Sequence, residues 1–470
     1  MQNYTDLIAT ITPAHGEKRD VFDPATGELI SQAPVQGVPD LEAAVTRATS
    51  AQISWAALSD EKRRNYLHRA ADAVEESAEA LAELLSREQG KPLNGPNARF
   101  EVGACAVWLR SAADTELPVE VLVDDGESYA EMHYRPIGVV GAIAPWNWPM
   151  MIAIWQIAPS LRMGNTVITK PAETTTLSGL ALASVLNQVL PEGVLSVVAG
   201  PGRTVGEAMV THPAIGKIMF TGSTPVGKKI IAASANNVTR LTLELGGNDA
   251  GIVLPDVNPK EIAEGLFWGA FINTGQTCAA MKRLYVHDSV YDEVVAELTA
   301  FAKNVPMGRG LEEQNVLGPL QNRAQYEIVD RLVESARASG ARVVLGGDPN
   351  REAVGNFYPA TLVTDIDPHN DLVVEEQFGP ALPIIRYTDL DEVIGLANEL
   401  EVGLGASVWS ANRERAREIA ARIHSGTVWI NAHGTLNPMV PFGGVKHSGY
   451  GREFGVEGLK AVSEPQVISM

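Results

Sequence analysis

Cysteine is scarce in this sequence, with only Cys105 and Cys278 in 470 residues. Two thiols cannot build a disulfide framework, and no Cys/His grouping has zinc spacing, so no metal is expected and a reducing, cytoplasmic setting is. Positive charge is also short: 37 Lys and Arg stand against 57 Asp and Glu, a formal net charge of −20. That balance argues against nucleic acid and anionic membrane as partners. The opening residues, Met1 to Asp6, carry neither a basic residue nor an apolar core, so no secretory leader is expected. One stretch, Ile137 to Leu161, lacks charge altogether and is long enough to raise a membrane span. Pro145, Asn147, Pro149, Gln156 and Pro159 would interrupt such a helix and strand polar groups in lipid, so a buried strand, a loop and a buried helix are expected instead. Internal repeats and low-complexity linkers are absent.

What is present suits a globular chain of two or three domains, with 45% apolar residues. Asp20 to Ala33 reads as an edge hairpin turning at Pro24 to Gly27. Asp40 to Gln89 carries Ala- and Glu-rich amphipathic periodicity, started by Pro39 and Asp40 and stopped by Gly90, and predicts two or three surface helices. Cys105 falls in the next helix as a packing residue. Leu117 to Tyr134 alternates around an Asp124-Asp125-Gly126 turn, a second hairpin. Residues 137 to 246 alternate strands with helices and predict a parallel-sheet nucleotide domain, and the strand Met281 to Val286 opens a second alternating series running to about Leu459.

Chemistry-bearing residues fall on this frame at loops and strand ends. In Phe271-Ile-Asn-Thr-Gly-Gln-Thr-Cys278-Ala-Ala the thiol sits among small and polar residues, as a nucleophile would, although a buried packing cysteine explains it about as well. Pro145-Trp146-Asn147-Trp148-Pro149 fixes an amide between two indoles, either as a rigid donor aimed into a pocket or as the completion of a turn. The strand Thr166 to Lys170 ends in Lys170 and Glu173, where ligands bind in open α/β sheets. Gly200-Pro-Gly202-Arg-Thr-Val-Gly206 is one residue longer than the common dinucleotide fingerprint. Phe220-Thr-Gly222-Ser223 ends a strand at a helix N-terminus suited to phosphate, with an ordinary N-cap as the competing explanation for Ser223. The strand Leu241 to Leu245 sets its leucines on one face and Glu244 on the other, a structural carboxylate or a general base.

Taken together, Pro145-Trp-Asn147-Trp, Lys170-Pro-Ala-Glu173, Phe220-Thr-Gly-Ser223, Glu244-Leu-Gly-Gly247, Gly275-Gln-Thr-Cys278, Glu375-Glu376-Gln-Phe378-Gly-Pro380 and Pro441-Phe-Gly-Gly444 resemble the aldehyde dehydrogenase superfamily in order and spacing. The resemblance covers nearly the whole chain. It implies an α/β fold with a Rossmann-like NAD-binding domain (residues 1–116 and 137–247), a catalytic domain (248–459) and a β oligomerisation arm (117–136 and 460–470). It further implies Cys278 as nucleophile, Asn147 as oxyanion donor and Glu244 as the base for hydrolytic water. Lys170, Glu173 and Glu376 would then meet ribose hydroxyls, Ser223 the pyrophosphate, and Trp146 and Phe378 would line the site, with Gly202, Gly206, Phe220, Gly222 and Gly246 completing it. Such an enzyme oxidises an aldehyde through a thioacyl intermediate, without metal, as a homodimer or homotetramer.

Two positions depart from the family pattern. Gln156 stands where many relatives carry a relay lysine, and Asn248 replaces the lysine that follows Glu-Leu-Gly-Gly, leaving Glu464 as the expected proton relay toward Glu244. The C-terminal strand is expected to be short. Residues matching the family's substrate tunnel, Met151, Ile152, Trp155, Thr277, Ala279, Thr435 and Leu436, are mainly apolar and favour a hydrophobic or aromatic aldehyde. A carboxylate-bearing semialdehyde would need a cation there, with Arg162 and Arg283 as candidates. A CoA-acylating enzyme would dispense with Glu244, and a catalytically silent protein would not need the Cys, Glu and Asn together. Glu173 beside a 2′-phosphate would set like charges together, so NAD is expected to be favoured over NADP by roughly ten- to a thousand-fold.

Overall fold

The computed structural model describes residues 3–470. Three helices, Val38–Ala56, Asp60–Glu76 and Ala78–Gln89, occupy the expected helical region. Their ends follow from local chemistry. The Asp40 carboxylate accepts the Gly37 N–H at 2.8 Å, the Ser59 hydroxyl accepts the Lys62 N–H at 3.3 Å, and Gly90 stops the third helix at φ +93°. The hairpin Lys18–Phe22 with Leu29–Pro34 lies where the turn residues put it. The uncharged run becomes the strand Val139–Ile143, the Pro145–Pro149 loop and the helix Met151–Arg162. Among the described residues no helix is long and apolar enough to cross a membrane.

Two sheets carry the core. The first orders Gly449–Tyr450, Arg240–Glu244, Ile215–Thr221, Val139–Ile143, Thr166–Lys170 and Leu195–Val197, all parallel except the first pair. Every residue of Val139–Ile143 and Thr166–Lys170 is buried, which explains why these strands read as continuous rather than alternating apolar runs. The second sheet orders Arg342–Leu345, Thr361–Thr364, Ala381–Tyr387, Met281–His287, Asp249–Val253, Gly405–Trp409 and Thr427–Ile430, with only the first pair antiparallel. The chain passes from one sheet to the other through Leu245 to Asn248, between the strands Arg240–Glu244 and Asp249–Val253. Glu244 therefore ends a strand of the first sheet at its carboxyl edge, beside the seam that the Cys278 loop approaches from the second.

A third sheet joins Ser463–Ser469, Tyr129–Pro136 and Glu120–Asp124. The expected short C-terminal strand is in fact seven residues, paired without a break from Ser463 opposite Pro136 to Ser469 opposite Ala130. Its partner is long enough to template the whole segment. Val121, Leu122, Val123 and Val467 are exposed on this sheet.

Candidate active site

The segment before Cys278 is conformationally unusual. Asn273, Thr274 and Gly275 follow one another at φ +50°, +55° and +75°. Positive φ is costly for an asparagine and more so for a β-branched threonine, and the surroundings hold the segment in place. Asn273 Nδ2 donates to the Asn147 carbonyl at 2.9 Å, Thr274 Oγ1 accepts the Gly318 N–H at 3.0 Å, and Gln276 Oε1 accepts the Gln321 N–H at 2.9 Å. At Gly275 a Cβ would fall inside the van der Waals shell of the Gly379 carbonyl, so only glycine fits. Lys282 Nζ then donates to the carbonyls of Thr277 and Cys278 at 2.9 and 2.6 Å and pairs with Glu376 at 3.2 Å. Burial pushes the Cys278 thiol up to about 12; Lys282 pulls the other way, and Glu244 and Glu376 add to the rise. Burial thus favours the thiol form of Cys278 over the thiolate.

Asn147 is buried and faces this loop, its Nδ2 donating to the Gln276 carbonyl at 3.1 Å. One amide hydrogen is used so, and an amide has two. Beneath it lies a fully buried ion pair. Lys91 Nζ donates to the Asn147 carbonyl at 2.8 Å and to Glu101 Oε2 at 2.6 Å, and stands 3.5 Å from the Trp148 ring centroid. Glu101 Oε1 accepts the N–H groups of Met150 and Met151 at 2.9 and 3.1 Å, so the same pair caps the following helix.

Glu244 is buried at 4% exposure, and among the described residues nothing, the neighbouring Gly444 amide included, reaches either carboxylate oxygen in full hydrogen-bond geometry. Burial raises its pKa well above the usual carboxylate range, the charge of Glu453 adds to the rise, and Arg452 and the Gly444 amide oppose it. Glu453 is itself buried and pushed up to about 8 by burial, against the pull of Lys217, whose own pKa burial lowers to about 7. Sequence reasoning found neither group. Glu464, the relay expected instead, ion-pairs with Arg240 at 2.7 Å and is 43% exposed, because the long C-terminal strand carries it along the third sheet. Gln156 donates weakly to Thr221 Oγ1 at 3.3 Å, and Asn248 Nδ2 donates to the Val373 carbonyl at 2.9 Å.

All eleven candidate cofactor residues, Trp146, Lys170, Glu173, Gly202, Gly206, Phe220, Gly222, Ser223, Gly246, Glu376 and Phe378, line one cavity of ≈ 840 Å³ together with Asn147, Glu244 and Cys278. The extra residue of the glycine fingerprint is absorbed in a single π-helical turn, Gly202–Gly206. Ser223 stands at the N-cap of the helix Thr224–Ser234, yet its hydroxyl makes no capping hydrogen bond. At Gly246 a Cβ would come 2.5 Å from Glu376 Oε2, so glycine lets the carboxylate approach the strand end. Trp146 meets Phe378 edge to face, ring centroids 5.4 Å apart. Glu173 Oε1 accepts the Gly202 N–H at 3.0 Å, and Oε2 lies 3.4 Å from Arg19 Nη1, a partner the sequence did not suggest.

The four tunnel candidates Met151, Trp155, Thr277 and Leu436 are not on the walls of this cavity. Met151, Trp155 and Leu436 pack in the same apolar cluster as Cys278, and Thr277 accepts the Trp148 indole N–H at 3.0 Å. Trp155 meets Phe454 at 4.8 Å and Trp108 at 5.8 Å, an aromatic lining beside a smaller recess. Arg162 chelates Asp60, and Arg283 donates to the carbonyls of Asn248 and Leu396 at 2.9 and 3.0 Å. Neither supplies a cation to the site.

Residues 11–468 match the family described as the aldehyde dehydrogenase family. The chain belongs to the aldehyde dehydrogenase family. It is accordingly an oxidoreductase acting on aldehydes. Phenylacetaldehyde dehydrogenase of Pseudomonas fluorescens is 39% identical over 456 residues, covering 94% of this chain and 90% of that protein. The NAD+ complex of an aldehyde dehydrogenase from Bacillus cereus superposes with a TM-score of 0.93 at 35% identity, covering 97% of this chain and 93% of that one. An E. coli enzyme described as NADP dependent superposes at 0.94 and 33% identity, covering 97% and 95%. The α/β architecture with its parallel sheets is that of these aldehyde dehydrogenases.

Proposed function

We propose that this protein oxidises an apolar or aromatic aldehyde to its carboxylic acid with NAD(P), through a thioester on Cys278. The observation that carries this reading is the single cavity bearing Cys278, Asn147 and Glu244 together with a complete set of dinucleotide-binding groups. The fit to a dinucleotide rests on three features. The Ser223 hydroxyl makes no capping hydrogen bond at the N-terminus of the helix Thr224–Ser234, a position suited to a pyrophosphate. Glu173 with Lys170, and Glu376 with Lys282, offer acceptors for ribose hydroxyls. Trp146 and Phe378 form an aromatic wall for the nicotinamide end. The first sheet with the helices before it is the nucleotide domain, the second sheet the catalytic domain, and the third the oligomerisation arm.

Chemistry begins with the Cys278 proton. A thiol at about 12 is a poor nucleophile at neutral pH, and Glu244, buried and without a hydrogen bond, is the base on the same cavity wall. As sulfur adds to the carbonyl carbon, negative charge moves to the carbonyl oxygen, where the second Asn147 N–H and the Cys278 backbone amide receive it. The nicotinamide, when bound, supplies the acceptor for the hydride that leaves this carbon. Cys278 is left as a thioester, and Glu244, once its first proton has left to solvent through the cavity, takes another from the water that hydrolyses it.

The substrate class rests on the aromatic and aliphatic packing around Met151, Trp155 and Leu436, on the engagement of Arg162 and Arg283 elsewhere, and on the likeness to a phenylacetaldehyde dehydrogenase. Assaying kcat/KM across aliphatic, aromatic and acidic aldehydes tests it: apolar substrates should lead, and a lead by an acidic semialdehyde would overturn the assignment. The exposed valines of the third sheet are apolar surface for a second copy, giving a cytoplasmic homodimer or homotetramer. Sedimentation should show at least a dimer.

A further inference from the structure

Glu173 is held from outside the cavity by a residue far away in sequence. Arg19 lies on the hairpin strand Lys18–Phe22, and its Nη1 is 3.4 Å from Glu173 Oε2. Its Nη2 donates to the Glu173 carbonyl and, at 2.9 Å, to Thr176 Oγ1. Three contacts thus clamp the guanidinium against the turn Glu173–Thr175 and the start of the next helix. It is still 35% exposed, so a ligand group bound at Glu173 can reach its charge. The other Glu173 oxygen accepts the Gly202 N–H, which leaves the carboxylate saturated on one side and neutralised on the other.

This arrangement bears on the choice between the two dinucleotides, which differ by one phosphate on the adenosine ribose. A lone carboxylate would repel that dianion. A carboxylate paired with a planar guanidinium does so far less, and the guanidinium is itself the side chain best shaped to bind phosphate. Away from Glu244 and Glu376, the charged groups of the cavity together with Arg19 are four cations, Arg19, Lys170, Arg203 and Lys229, against two carboxylates, Glu173 and Glu207.

We propose that Arg19 is a specificity-determining residue for the cofactor: by neutralising Glu173 and offering its guanidinium to a 2′-phosphate, it lets this enzyme accept NADP within about tenfold of NAD. The proposal rests on the dinucleotide reading above and replaces the strong preference for NAD expected from Glu173 alone. That expectation did not include Arg19.

The test is direct titration of the full-length protein with NAD+ and with NADP+, without aldehyde, followed by calorimetry or tryptophan fluorescence. For the wild type the two Kd values should lie within about tenfold. Arg19→Ala should weaken NADP+ by about tenfold or more while tightening NAD+ by a few-fold, because the released Glu173 carboxylate becomes free to accept ribose hydroxyls. Arg19→Lys should restore part of the NADP+ affinity. Glu173→Gln, which leaves Arg19 unopposed, should tighten NADP+ even if the hairpin tolerates change at position 19 poorly. A wild-type preference for NAD+ above about a hundredfold, or equal loss of both ligands in Arg19→Ala with no gain in Glu173→Gln, would overturn the proposal. Failure to bind either dinucleotide would overturn the cofactor reading with it.

Discussion

Two glutamates of the same sheet stand at or just past the carboxyl ends of their strands, and the protein treats them in opposite ways. Glu173 follows Thr166–Lys170, is 48% exposed, and has a guanidinium and a backbone amide for partners. Glu244 ends Arg240–Glu244, is almost completely buried, and has no hydrogen bond on either oxygen. The first is therefore a carboxylate held by partners at the cavity rim, as suits the binding role proposed for it. The second is an anion the fold does not welcome, and a carboxylate held in that way is a stronger base than one in water. Residue type and position in the topology are alike; solvation alone separates the two roles.

The most drastic way to break the comparison is to silence one end of the cavity and ask whether the other notices. Cys278→Ala should lower aldehyde-dependent NADH formation by roughly 10⁴-fold or more while dinucleotide Kd stays within about threefold, as titration would show. Retained turnover would remove Cys278 from the mechanism. Glu244→Gln should cut steady-state turnover by roughly 10²–10⁴-fold and slow the burst of NADH as well, because Glu244 takes the Cys278 proton before it takes that of the water. A stopped-flow trace with a wild-type burst and wild-type turnover would count against it. Asn147→Ala should lower kcat by about 10²–10³-fold with a smaller change in KM, the signature of a donor used mainly in the transition state.

Smaller effects sharpen the contrast through pH. Since burial raises the Glu244 pKa, its basic form is lost as pH falls, and the rate should decline on the acid side. Glu453→Gln removes a neighbouring charge that adds to the rise, so that acid limb should move to lower pH, whereas Glu464→Gln should not move it. Stability should follow the same logic. A carboxylate whose folded pKa is raised favours the folded state below its unfolded pKa of about 4.3 and disfavours it progressively above. Glu244→Gln should accordingly raise the apparent Tm by about 1–3 °C at pH 8, a gain that shrinks as pH falls and disappears by about pH 4. Calorimetry showing the gain at acid pH and not at alkaline pH would reverse the assignment.

Much of this was legible in the sequence because it is local. Turn residues placed both hairpins, the Gly90 stop and Asp40 start bounded the helices, and the motifs around Asn147, Glu173, Ser223, Glu244, Glu376 and Cys278 converge on one cavity. What escaped is what depends on distant parts of the chain meeting. Arg19 reaches Glu173 across 154 residues, and no periodicity in the hairpin marks it. Glu453 and Lys217 gain their perturbed pKa values from burial beside one another, and Glu464 was preferred because burial cannot be read from a C-terminal charge. The raised thiol of Cys278 has the same origin: a half-buried position on the cavity wall, beside Glu244 and Glu376, is set by the fold and not by its neighbours in sequence. Tunnel residues were carried over from the family resemblance, and the large cavity does not include them.

The left-handed run before Cys278 has a bearing on anyone who would retarget this enzyme. Gly275 is pressed against the Gly379 carbonyl, only three residues beyond Glu376 and next to Phe378, which itself sits at φ +45°. The two loops touch backbone to backbone, with no side chain between them to absorb a change. A library that varies the Glu376–Gly379 segment to alter the cofactor will therefore also shift the sulfur, and one that varies Asn273–Gly275 to reposition the sulfur will disturb the ribose acceptor. Positions 275 and 379 should be randomised as a single unit, and clones selected on cofactor use alone will carry hidden losses in acylation.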